Sequence, residues 1–154
     1  RALCGDQQSS LYAAGSVKGT TKVTYGTGAF IGQHLGAKYR THNPFFTTFM
    51  PSGRHAHYAL EGKIARGGKE VEPLLNNQEK LRKFLLQLAK HVDGLLKQLP
   101  LRTKKIFIDG GVMRDGIVGS FQEKISHVHV RPLSVVNGTA YGTAKLLKES
   151  TEDT

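Results

Sequence analysis

The sequence has little of three things whose presence would have fixed its class. It contains a single cysteine, Cys4, which excludes an intrachain disulfide framework and favours a reducing, cytoplasmic setting. No apolar run approaches the length that spans a bilayer, and the longest such stretch, KLRKFLLQLAK, is broken by charge. Acidic residues are also scarce, with 12 Asp and Glu against 22 Lys and Arg. These shortages exclude a disulfide scaffold and a membrane-spanning chain, and we expect a soluble globular domain.

The excess of basic residues gives a net charge of +10 and a pI near 9.9. Its densest cluster is Arg102, Lys104 and Lys105, and the other lysines are scattered over helix-like segments, which is typical of a solvated face. No aromatic stripe is interleaved with the basic residues, and neither zinc spacing nor a helix-turn-helix pattern is present. A basic nucleic-acid binder is therefore the minority alternative, and we expect no nucleic-acid partner.

Periodicity and turn signals predict one α/β domain of 154 residues, without repeats or linkers. We predict a helix over 7–17 capped by Asp6, two strands over 20–25 and 29–34 joined by a tight turn, and extended pieces in FFTTFM and HYALEG. These are followed by a long helix over 69–98, a buried strand in KKIFID, a helix over 112–125, a short strand in HVHV and a closing helix over 138–149.

The long helix carries apolar residues at steps of three and four. They are Leu81, Leu85, Leu88, Val92 and Leu95. Such a stripe is more often core packing than a partner surface. If a partner domain is missing, part of the stripe is exposed, and the chain then self-associates through that apolar surface.

Three short stretches carry chemistry, and each also has an ordinary structural interpretation. The turn Gly26-Thr27-Gly28 offers backbone N–H groups to a phosphate, although most such turns are only hairpins. The strand IFID runs into Gly110-Gly111, where a nucleotide can approach the backbone. Asp6, in CGDQQSS, is either a helix cap or a carboxylate that accepts a hydroxyl proton.

The histidines and the cysteine do not predict a metal site or a nucleophile. His55 and His57 alternate along one strand-like segment and His127 and His129 along another, without the further ligands that zinc requires. Cys4 has no histidine nearby in sequence that could activate it as a nucleophile. We expect structural histidines, a small core cysteine and no metal ligands.

The order of the motifs is more specific than any one of them. GDQQSSLYAAG, TKVTYGTGAFI, YALEG, IFIDGGV, VRP and TAYGTA follow one another as in the C-terminal domain of the FGGY carbohydrate kinases, which this chain resembles from Gly5 to about Leu147. The resemblance is weakest over 70–101, and its first three motifs favour glycerol as substrate. It implies an actin-like ATPase (ribonuclease H-like) fold, with a mixed β-sheet and flanking helices in a single lobe.

The resemblance also implies roles for individual residues. Asp6 corresponds to the base that deprotonates the attacking hydroxyl, and Gln7 helps to hold the substrate. Gly26 and Thr27 contact the nucleotide's phosphates, and Gly68 falls where the family has another phosphate-side glycine.

On the adenosine side, Gly111 corresponds to the glycine that lies against the nucleoside. Four residues later this chain has Asp115 where an asparagine is expected. A carboxylate there keeps the acceptors but loses the amide donor.

The implied activity is ATP-dependent phosphorylation of a polyol or sugar hydroxyl, with ATP and Mg²⁺ as cofactors. By the same resemblance residues 1–154 are the C-terminal, nucleotide-binding lobe, the N-terminal lobe is a missing partner, and we expect the isolated chain to be inactive. The alternative is a non-catalytic nucleotide-binding or assembly module that keeps the shape of the kinase lobe.

Overall fold

A mixed sheet of six strands organises the fold, in the order β3-β4-β2-β1-β5-β6. The computed structural model describes residues 4–51, 56–113, 116–135 and 137–152. The strands are β1 (Thr21–Tyr25), β2 (Ala29–Gly36), β3 (Phe46–Met50), β4 (His57–Ile64), β5 (Lys105–Asp109) and β6 (His129–Pro132). The helices are α1 (Asp6–Ala14), α2 (Gly68–Val71), α3 (Gln78–Leu96), α4 (Ile117–Ser126) and α5 (Gly138–Glu152). Strands β1, β2, β4 and β3 pair antiparallel, whereas β1, β5 and β6 run parallel.

Helices cover both faces of the sheet, and each face contributes buried apolar residues to a core. Val23 and Tyr25 of β1 are fully buried in the larger core, which α3 and α4 close. On the opposite face Leu11 and Tyr12 of α1 pack with Ala59 in a smaller core, and α5 lies against α1. This three-layer arrangement matches the predicted α/β domain. Among the described residues no helix is both long and apolar enough to cross a membrane.

The predicted helix over 69–98 is wrong as a single element. The chain forms the short α2, then a 3₁₀ turn over Glu72–Leu74 that contains Pro73, and only then α3. The side chain of Asn77 starts α3 anew by accepting a hydrogen bond from the Lys80 N–H at 3.0 Å. The apolar stripe of α3 is buried, as the core interpretation predicts.

Two other predicted boundaries also move. The helix expected from Val112 is a 3₁₀ turn over Gly111–Met113, and α4 begins only after Gly116, whose φ of 67° is left-handed. Asp6 is not the cap of α1, because Gly5 holds the N-cap position and Asp6 lies in the first helical turn. There its carboxylate still complements the positive end of the helix.

Candidate functional site

Two glycine turns meet at the end of the sheet where β1 and β5 terminate. Because β1 and β5 are parallel neighbours, their carboxyl ends lie side by side, and each runs directly into glycine. The Gly68 N–H donates to the Gly26 carbonyl oxygen at 2.6 Å, so the start of α2 closes against the β1–β2 turn. Ligands of open α/β sheets bind at such an end, outside the carboxyl ends of the strands.

A groove of about 610 Å³ opens at this end of the sheet. It brings together four of the residues predicted to contact a nucleotide, namely Gly26, Thr27, Gly68 and Gly111. Its apolar wall is formed by Val71, Leu75, Leu81, Leu85 and Val112. The groove is large enough for a small ligand, and it combines exposed backbone with an apolar wall, as ligand pockets commonly do.

Asp6 and Gln7 do not line that groove. They lie in the first turn of α1, on the other face of the sheet, where the Asp6 side chain is exposed. Gln7 borders a cavity of about 20 Å³ together with Lys22, Thr24 and Glu61. A space of that size holds a water molecule and not a substrate.

The three residues after Gln7 fix the start of α1. Gln8 Nε2 donates to Glu61 Oε1 on β4 at 2.6 Å, and Ser9 Oγ donates to the carbonyl oxygen of Thr139 on α5 at 2.6 Å. Ser10 Oγ donates to Asp109 Oδ2 on β5 at 3.2 Å. Each side chain therefore binds a different element, and Asp6 and Gln7 are presented from a turn that is anchored on three sides.

A buried ion pair lies beneath this turn. Lys22 Nζ is 2.7 Å from Asp109 Oδ1, and the side chain of Lys22 is 3% exposed. Lys22 also donates to Thr24 Oγ1. Burial lowers the pKa of Lys22, while the charge of Asp109 opposes that shift.

Glu61 is the second partly buried carboxyl group of this face. Burial raises the pKa of Glu61, and its hydrogen bond from Thr48 acts in the other direction.

Sequence reasoning missed Lys22, Asp109 and Glu61. The available signal was Lys22 itself, because TKVTY places a lysine inside a strand that also carries the apolar residues Val23 and Tyr25. A cation in a central strand needs a buried partner, but the sequence does not say which carboxylate supplies it.

The remaining sequence predictions concern Asp115, the histidine pairs, Cys4 and the metal ligands. Asp115 lies outside the described residues, as does His55 of the predicted histidine pairs. Cys4 is half-buried and unbridged. Within the described ranges, no three His, Cys, Asp or Glu side chains come together as a metal site.

The six-stranded mixed sheet with helices on both faces has the actin-like ATPase fold. A solved Plasmodium falciparum glycerol kinase with ADP superposes on 97% of this chain with a TM-score of 0.75 at 21% identity. A xylulose kinase from Rhodospirillum rubrum superposes on 96% with a TM-score of 0.74 at 14% identity. These two neighbours confirm the expected fold, and this chain covers 42% of each.

Sequence comparison identifies the relatives more narrowly. Glycerol kinases from Polaromonas sp. and Ralstonia pickettii are 40% identical over 73 residues and 36% identical over 109 residues. The matches cover 46% and 69% of this chain, although no family model matches it. The chain is therefore related to the FGGY carbohydrate kinases, and within them it is glycerol kinase-like in sequence. The matched segments are 15% and 21% of those two kinases, so the similarity covers only about a fifth of their length.

Proposed function

We propose that this chain is the nucleotide-binding lobe of an ATP-dependent kinase for a polyol or sugar, with glycerol as the first candidate substrate. The observation that carries the proposal is the groove, because it gathers Gly26, Thr27, Gly68 and Gly111 from three separate segments. Kinship with glycerol kinases, and the ADP named with the Plasmodium falciparum structure, support a nucleotide as its ligand.

The proposed reaction is transfer of the γ-phosphoryl group of ATP to a hydroxyl group. The hydroxyl oxygen attacks phosphorus, its proton passes to the Asp6 carboxylate, and the bond to the bridging oxygen of ADP breaks. Asp6 suits this role because it is exposed on an anchored turn. Catalysis of this kind depends on positioning and on a cleft closed to water, so a second lobe facing Asp6 belongs to the proposal.

Mg²⁺ belongs to the proposal as the companion of ATP. It neutralises phosphate charge when bound, and it usually needs only one or two carboxylates because phosphates and waters complete its shell. The described part of the chain fits that demand, since the carboxylate residue Glu72 lines the groove and no three possible metal ligands form a preformed cluster.

The test is calorimetric titration of the 154-residue chain with ADP and with ATP plus Mg²⁺. We expect saturable binding of both, and an approximately tenfold loss in Thr27→Val, because a hydrogen bond to a charged phosphate is removed. Asp6→Asn serves as the control and keeps nucleotide affinity, since Asp6 lies outside the groove. Absence of nucleotide binding by the unmodified chain would contradict the proposal.

The second candidate is a non-catalytic nucleotide-binding module. It is favoured by one observation, namely that the groove is lined without Asp6 or Gln7 and so needs neither residue to bind. The two candidates differ once a kinase N-terminal lobe is supplied in trans. Glycerol phosphorylation that disappears in Asp6→Asn supports the kinase, whereas binding without any turnover supports the module. The isolated chain is expected to show no turnover in either case.

A further inference from the structure

We propose that Lys22 is a positioning residue, which holds the turn bearing Asp6 and the two glycine turns of the groove in one fixed arrangement. The inference rests on the proposed function for what these segments bind. It is carried by geometry, because one buried ammonium group links all three segments.

The first link joins the two glycine turns. Lys22 Nζ donates to Thr24 Oγ1, two residues before Gly26, and it lies 2.7 Å from Oδ1 of Asp109, the residue directly before Gly110. Thr24 and Asp109 are also direct partners in the parallel β1–β5 ladder. The cation therefore ties the last but one residue of β1 to the last residue of β5, just before both backbones turn toward the groove.

The second link reaches the helix of the candidate base. Asp109 Oδ2 accepts a hydrogen bond from Ser10 Oγ at 3.2 Å. Ser10 follows Asp6 by four residues, about one helical turn, so both lie on the same side of α1. One oxygen of Asp109 thus binds Lys22 and the other binds Ser10 of α1. The carboxylate therefore fixes the position of Lys22 relative to α1.

The network is enclosed, which gives its partners little freedom to exchange. A Cβ added at Gly138, where α5 begins, would lie 2.9 Å from Asp109 Oδ2 and 2.8 Å from Ser10 Oγ. Lys22 is almost fully buried and Asp109 is 17% exposed. Side chains packed this closely hold one geometry.

Stability alone does not account for a lysine at this position. Well-packed apolar residues often replace a buried ion pair without loss of stability, whereas removing one partner leaves a buried charge. An ion pair retained at the junction of three ligand-facing segments is better explained by the geometry that it imposes.

The experiment measures ADP affinity in Lys22→Met, and in Lys22→Met/Asp109→Asn, which removes both charges and avoids an unpaired buried carboxylate. We expect ADP to bind at least tenfold more weakly in both variants, and Lys22→Arg to recover part of the loss. Val92→Ala is the matched control, because it opens a cavity in α3 away from the groove. It lowers thermal stability but keeps ADP affinity within twofold. Affinity within twofold of the unmodified chain in the double variant would overturn the proposal.

Hydrogen exchange supplies a readout that needs no nucleotide. Backbone amides over 24–28 and 108–112 should exchange at least tenfold faster in the double variant, while Val92→Ala leaves those segments unchanged. If the unmodified chain fails to bind ADP but the exchange result holds, the proposed function fails and Lys22 remains a positioning residue. If exchange at both turns is unchanged, the positioning role is wrong whatever the chain binds.

Discussion

Two adjacent glycines at the end of β5 have opposite surroundings. A Cβ on Gly110 would lie 2.3 Å from the Tyr25 carbonyl oxygen, and its φ of 107° disfavours any L side chain. A Cβ on Gly111 would meet nothing within 4 Å, although Gly111 lines the groove. The first glycine is therefore required by the fold, and the second leaves room for a ligand.

We expect Gly110→Ala to lower the free energy of unfolding by roughly 2–4 kcal/mol, because backbone strain adds to a clash with β1. Gly111→Ala should change it by less than about 1 kcal/mol and weaken ADP binding instead. Urea denaturation and calorimetry measure the two effects separately. Equal losses of stability in both variants would contradict this division of roles.

The residues of the candidate site were predictable to different degrees. Gly26, Thr27, Gly68 and Gly111 could be grouped because their motifs follow one another in an order resembling that of a known family, and the groove does bring them together. The ion pair of the positioning network could not be predicted, since 87 residues separate Lys22 from Asp109 and only the parallel pairing of their strands makes them neighbours.

At the scale of elements, whether a segment forms a helix or a strand was easier to predict than the residues at which it begins and ends. The hairpin was correct because β-branched and aromatic residues flank a glycine turn. The prediction of one long helix was wrong because the chain is interrupted before Asn77, whose side chain caps a new helix. Local hydrogen bonds of this kind decide boundaries, and hydrophobic periodicity does not detect them.

The pairing of β2 with β4 contains a pH-sensitive contact. His34 of β2 is buried beside the first residue of β4, with 3.1 Å between His34 Nε2 and His57 Nδ1, and the ladder is irregular between His34 and Gly36. Burial lowers the pKa of His34 below its usual 6.5, a backbone hydrogen bond with Val17 opposes this shift, and the charge of His57 adds to it. Below pH 6.5 the unfolded chain therefore binds a proton that the folded chain resists.

We expect the free energy of unfolding to fall as pH decreases from 6.5 through the lowered pKa of His34, by at most about 1.4 kcal/mol per pH unit from this group. His34→Gln should remove this part of the slope, and His91→Gln, at an exposed position of α3, should keep it. Denaturation midpoints between pH 5 and 7.5 measure the slopes. An unchanged slope in His34→Gln would assign the acid sensitivity to other groups.

At the scale of the whole molecule, two of the most exposed large apolar side chains of the described residues lie on the edge strand of the sheet, and none lies on α3. Phe46 and Phe49 of the edge strand β3 are 74% and 72% exposed, and β3 (FTTFM) carries no charge. Edge strands without charges offer unpaired backbone groups to another chain. The self-association expected for this chain stays a prediction, and we propose the edge of β3 as its surface in place of the apolar stripe of α3.

We expect the chain to associate as its concentration rises, and Phe46→Lys/Phe49→Lys to shift the midpoint of association at least tenfold higher. Two charges of one sign then face each other across the paired edges. Val17→Lys also replaces an exposed apolar side chain with lysine, away from β3, and should leave association unaltered. Sedimentation velocity across a concentration series measures all three chains. An equal effect of Val17→Lys would point to net charge in place of the strand edge.

The burial of Lys22 also shields its amino group from chemical modification. Amine-acylating reagents reach Lys83 and Lys97, whose side chains are 73% and 71% exposed, while the folded chain shields Lys22. We expect Lys22 to become reactive only when the chain opens and exposes its amino group. The acylated fraction at this one lysine, read by mass spectrometry, therefore measures how often the chain opens, and it needs neither a ligand nor an activity assay.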